Sequence, residues 1–148
     1  MKKIIHPIAG MMAMVIIATF WLSSVSVEVF GAPADIALVK TGVAWGILLL
    51  TPTMVLTGRS GAALAGERRV GLIAVKRKRM ALIAANGLLV LIPSALFLAF
   101  RARAGVLDAG FYAVQAVELV AGPVNLFLLA LNLRDGLRMS GRLRTRGA

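Results

Sequence analysis

Residues 80–100 read MALIAANGLLVLIPSALFLAF, twenty-one positions without a charge. A helix needs about 20 apolar residues to cross roughly 30 Å of hydrocarbon, so this run is long enough to span a bilayer. Working outward, three further runs meet the same test. Residues 4–27 hold nothing charged at neutral pH, residues 36–57 hold only Lys40, and residues 109–133 hold only Glu118. The pattern predicts an all-α, integral membrane four-helix bundle that occupies residues 1–148 as a single domain.

Composition points the same way. The chain is 59% hydrophobic and 16% charged, with a mean hydropathy of +0.88. Soluble domains average about 45–50% apolar and 25% charged residues, and 148 residues cannot hide such a surplus in one core. So apolar a chain is not intrinsically disordered. The absence of cysteine excludes disulfides, iron–sulfur clusters, thiolate zinc sites and covalently attached haem.

The net charge of +11 is distributed unevenly. Lys2 and Lys3, seven residues of a 58–79 connection (Arg59, Arg68, Arg69, Lys76, Arg77, Lys78, Arg79) and five of a 134–148 tail (Arg134, Arg138, Arg142, Arg144, Arg146) fall on one side of the predicted spans. Lys40, Arg101 and Arg103 are left for the other, with Glu28, Asp35, Asp108 and Glu118. Net charge divides as +12 against −1. Basic segments stay in the cytoplasm during insertion, so both termini, the 58–79 loop and the tail are expected there, in a bacterial-type inner membrane. The first run is longer than the 7–15 residues of a signal-peptide core and is read as a retained span, with Trp21 at the interface. The basic face is expected to meet anionic lipid head groups. Nucleic acid is not expected, because the charge adjoins spans and lacks interleaved aromatics for stacking bases.

Polar residues inside spans are expensive in lipid and should face protein or water. On the fourth span Gln115, Glu118, Gly122, Asn125, Leu129 and Asn132 recur at steps of three and four, which places the polar ones on a narrow stripe. His6, Gly10, Ala13, Ile17, Phe20, Ser24 and Glu28 form a similar line on the first span. Asn86 and Pro93 sit one heptad apart on the third, where Pro93 frees a carbonyl that Ser94 or a neighbour is expected to satisfy. Gly42 and Gly46 give a small-xxx-small pattern for close helix packing or dimerisation. A homo-oligomer or a membrane-protein partner is expected.

By depth these residues form two groups. The outer group is Glu28, Lys40, Gln115 and Glu118, with Tyr112 near. It reads either as a structural ion pair of Lys40 with Glu118 or Glu28, or as a proton or cation site on Glu118. The inner group is His6, Arg59, Asn86, Asn125 and Asn132. His6 reads either as an interfacial histidine before Pro7, or as an axial ligand of a b-type haem, with Met54 or Met80 as second ligand and Arg59 and Lys78 as propionate partners. No other metal site is expected.

Four short spans, the early His6 and the second-span motif Leu48-Leu49-Leu50-Thr51-Pro52-Thr53-Met54 give the chain a resemblance to the bacterial four-helix membrane protoporphyrinogen oxidases and the related copper-resistance D-like membrane proteins. The resemblance implies an inner-membrane protein that binds haem or another tetrapyrrole, with His6 at the matching ligand position. No phosphate loop, dinucleotide fingerprint, zinc-helix motif or nucleophile elbow occurs. Three functions stay open: a haem- or quinone-linked redox or tetrapyrrole protein, a proton- or ion-coupled transporter or channel subunit using Glu118, and a structural or assembly subunit.

Overall fold

The structure, a computed structural model, describes residues 2–66 and 71–139, with side chains from 5 to 66 and from 71 to 138. The side chains of Lys2 and Lys3, and residues Arg68, Arg69, Arg142, Arg144 and Arg146, lie outside that description. The described residues form five α-helices and one π-turn. These are α1 (Lys2–Phe30), α2 (Pro33–Ala65), α3 (Gly71–Asn86), the π-turn Gly87–Leu91, α4 (Ile92–Arg103) and α5 (Ala109–Met139). Helices α3 and α4 run on through the π-turn as one rod, so four helical rods are long and apolar enough to cross a membrane. The fold is an all-α four-helix bundle, and the protein is a multi-pass membrane protein.

The helices outrun the hydropathy. Of the expected 58–79 loop, residues 58–65 and 71–79 are helical, as is the start of the expected tail through Met139. Hydropathy marks where lipid ends. Helix propensity persists in the Ala, Leu, Lys and Arg of these flanks, so the backbone continues as helix beyond the apolar run.

The turns are locally encoded. Between α1 and α2, the Asp35 carboxylate accepts the Ala32 N–H at 2.9 Å. Two residues past the end of α4 stands Gly105, whose φ of +69° suits glycine. There Val106 N–H bonds the Arg101 carbonyl and Gly105 N–H bonds the Ala102 carbonyl, which satisfies the last carbonyls of the helix. Asp108 then caps α5 by accepting the Phe111 N–H at 3.0 Å. Its other carboxylate oxygen takes Arg101, and these two contacts, Arg101 first, hold the Asp108 carboxyl below the usual carboxylate range.

The third span accommodates Pro93 by a change of backbone winding just before it. In the π-turn, Ile92 N–H reaches back five residues to the Gly87 carbonyl, so the extra residue takes up the irregularity ahead of the proline.

Around the bundle, α1 packs on α2 and α5, α2 packs on α4, and the third rod packs on α5 along its length. Helices α2 and α3 barely meet. Buried positions favour small residues such as Ala9, Ala13, Ala95 and Ala102, while Leu38, Trp45, Leu89, Phe100, Val120 and Phe127 point outward. Lipid removes the hydrophobic drive between helices, so close contact falls to small side chains and hydrogen bonds.

Candidate functional site

Helix α5 is the polar spine of the molecule. Its stripe lies inward as expected, with Gln115, Glu118, Asn125 and Asn132 all buried. Each residue with a partner reaches a different place. The Glu118 carboxylate accepts Lys40 Nζ from α2 at 2.6 Å, and Lys40, 0% exposed, also donates to Ser24 Oγ of α1 at 3.0 Å. Asn125 Oδ1 accepts Asn86 Nδ2 at 3.0 Å, and the same Asn86 amide donates to the Ala121 carbonyl at 2.9 Å.

The stripe runs one step further than the sequence reading took it. Asp135, three residues after Asn132, is 2% exposed and accepts Arg79 at 2.6 Å. Hydropathy assigns it to a solvated tail, whereas the three-and-four spacing places it on the buried face. Gln115 and Asn132 have no protein partner for their side-chain amides, and Glu28 Oε1 is likewise buried and unpartnered. Of the two carboxylates offered to Lys40, the structure pairs Glu118 and leaves Glu28 within electrostatic reach of both. Tyr112 turns away from this group: it is exposed, edge-on to Phe111.

Trp21 is half-buried and turned toward α5. Pro123 has no N–H to give to the Leu119 carbonyl four residues earlier. The Trp21 indole N–H donates to that carbonyl at 3.0 Å, while the ring lies against Gly122, where a Cβ would come within 2.8 Å of it. The same device recurs along α1. The Phe20 ring occupies the space a side chain at Gly46 would need, and the His6 ring lies 2.9 Å from where a Cβ of Gly61 would be. Gly46 is thus consumed within the bundle, while Gly42 faces open space.

Where α2 and α3 part, a chamber of about 430 Å³ opens. Its wall is almost wholly apolar, with Phe20, Trp21, Met54 and Met80 as its largest groups and Ser24, Thr51, Glu118 and Asn125 as its polar ones. Thr51, Val55 and Leu88, all exposed, lie on the wall where it opens on the outside of the bundle. Glu118 and Asn125 stand seven residues apart on one helix, about 10 Å along the wall. Glu118 offers a carboxylate acceptor. Asn125 offers an amide donor held only by a long 3.5 Å contact to the Ile83 carbonyl.

The residues expected around a haem are not gathered here. Met54 and Met80 are on the chamber wall, but His6 is not. It lies between α1 and α2, with Nδ1 3.1 Å from the Thr57 carbonyl and 3.2 Å from Ser60 Oγ. A carbonyl only accepts, so Nδ1 carries a proton and donates it to Thr57. Arg59 and Lys78 are exposed. No known protein family, curated protein or solved structure matches the chain.

Proposed function

We propose that this is a protein of a bacterial-type cytoplasmic membrane, both termini cytoplasmic, that takes a lipophilic redox ligand of the quinone or tetrapyrrole class from the bilayer. The observation that carries the reading is the lipid-open chamber, whose apolar wall suits a flat ring and whose few polar groups suit its orientation. The donor of Asn125 and the acceptor of Glu118 favour a ring bearing carbonyl or hydroxyl oxygens, as a quinone does. A haem ligated by His6 Nε2 would lie against α1 and α2, outside that wall, so the residues present do not fit a haem within the chamber. Topology rests on the basic excess of the terminal end, where Arg59, Arg77 and Lys78 are exposed to meet anionic head groups at about 1 kcal/mol each.

The test uses the two tryptophans. Trp45 faces lipid, so Trp45→Phe leaves Trp21 on the chamber wall as the sole indole. Titration with a short-tailed benzoquinone should quench Trp21 saturably, and Ala84→Phe, which fills the wall, should weaken that quenching. A Soret band in the purified protein that disappears in His6→Ala would assign the tetrapyrrole at His6 instead. Absence of both saturable quenching and a Soret band rejects the reading.

A further inference from the structure

A second hollow lies along α2 and α4, a groove of about 650 Å³. The small residues Ala44 and Ala99 leave it room, and Trp45, Leu48, Leu96 and Phe100, all exposed, line it. Within hydrocarbon such a hollow is filled by a lipid chain or by another helix. Its length falls within one leaflet. Thr41 to Leu48 on α2, and Leu96 to Arg103 on α4, each rise about 10 Å, against roughly 15 Å for half of the hydrocarbon core. The two ends differ in chemistry. Leu48 and Leu96 make the deep end apolar, while the other end carries the Thr41 hydroxyl and the exposed Arg103, in the last turn of α4. Among the described residues Arg103 is the cation at this end of the bundle that the protein leaves unpaired. Lys40 is bonded to Ser24 and Glu118, and Arg101 to Asp108. Of the remaining acids, Asp35 accepts the Ala32 N–H, and Glu28 stands on α1, which does not line the groove.

We infer that the groove between α2 and α4 binds a phospholipid, with the phosphate on Arg103 and one acyl chain running past Trp45 and Phe100 to Leu48 and Leu96. The forked N–H donors of a guanidinium match the oxygens of a phosphodiester, and the apolar groove below takes the chain. A second copy of the protein is the poorer occupant. A two-fold contact sets the same face against itself, and the groove lining contains no acid to bring to Arg103. The deep end lies about one turn from Thr51 of the chamber wall, so the bound chain ends beside the chamber opening.

Trp21→Phe leaves Trp45, on the groove wall, as the sole indole for the test. In detergent micelles, phosphatidylglycerol with brominated acyl chains should quench Trp45 saturably. Diacylglycerol with the same brominated chains should quench it only in proportion to its share of the micelle. Arg103→Gln should raise the half-saturating phosphatidylglycerol fraction about fivefold, the factor that one cation at a membrane surface contributes. Ala44→Leu, which narrows the groove, should lower the maximal quenching. If Trp21→Phe does not fold, native mass spectrometry of the otherwise unmodified protein should show one retained phosphatidylglycerol that Arg103→Gln loses. Identical curves for the two lipids, or a curve that Arg103→Gln leaves unchanged, overturn the inference. So does a stable dimer in which Trp45 is shielded from both lipids, which would assign the groove to a second copy. Trp45 is not on the chamber wall, so the outcome is independent of quinone binding.

Discussion

Helix α2 has two unlike sides. Toward α1 it is closed, with Phe20 seated on Gly46, His6 on Gly61, and Lys40 bonded to Ser24 and on to Glu118. Toward α3 it is open: the two helices barely meet and the chamber lies between them. Both sides carry apolar residues in plenty, so apolarity does not distinguish them. Inside a bilayer, helices close on each other where a glycine admits a ring or a polar pair must be satisfied; where neither occurs, lipid-like material is an equally good neighbour.

The largest break in that contrast should come from Lys40→Met, which strips a buried carboxylate of its cation. Removing one partner of a buried pair costs about 3–5 kcal/mol, here reduced to the extent that Glu118 takes up a proton. Thermal unfolding in detergent should show it, with the loss smaller at acidic pH, where the orphaned acid is neutralised. Gly46→Leu comes next. It drives a side chain into the Phe20 ring and should cost about 1–3 kcal/mol by overpacking. The matched enlargement on the open side, Ala84→Leu, should stay within about 0.5 kcal/mol, because the new side chain enters the chamber. Equal losses from these two variants would refute the contrast. Asn86→Leu tests α3, the part of the rod across the gap, which α5 rather than α2 holds. Loss of its bonds to Ala121 and Asn125 should cost on the order of 1 kcal/mol, as interhelical bonds in membranes do.

The smallest effect should be at the exposed turn before α5. Asp108 has a depressed carboxyl pKa in the folded chain, so its stabilising contribution is present above the unfolded value and disappears as pH falls through the folded one. Asp108→Asn should remove that contribution, so the variant is slightly less stable at neutral pH, equal to the unmodified protein at low pH, and flatter along the acid limb of a stability–pH profile.

Much of this architecture is legible from residue order because the bilayer imposes simple rules. Its thickness sets the run lengths, and its low dielectric forces Lys40 to find an acid. The choice between Glu118 and Glu28 is not legible, since it depends on how far each helix turns and leans once packed. The bond of Trp21 to α5 is not legible either, because its partner is a carbonyl released by Pro123, about a hundred residues further on. Asp135 is the opposite case. Its spacing from Asn132 declares it buried, but the apolar run has already ended, and hydropathy speaks louder than phase. The chamber is least legible, because it is an absence of contact, and no residue pattern in α2 or α3 encodes it directly.

The ion pair between Lys40 and Glu118 also bears on the order of synthesis. Helices α1 and α2 leave the ribosome long before α5, so Lys40 enters the membrane when Glu118 does not yet exist. An ammonium at that depth must be held by something in the nascent hairpin, and the finished fold shows Ser24 on Lys40 and Glu28 within electrostatic reach of it. Until the last helix delivers Glu118, Ser24 is the bonding partner that the hairpin itself offers to Lys40.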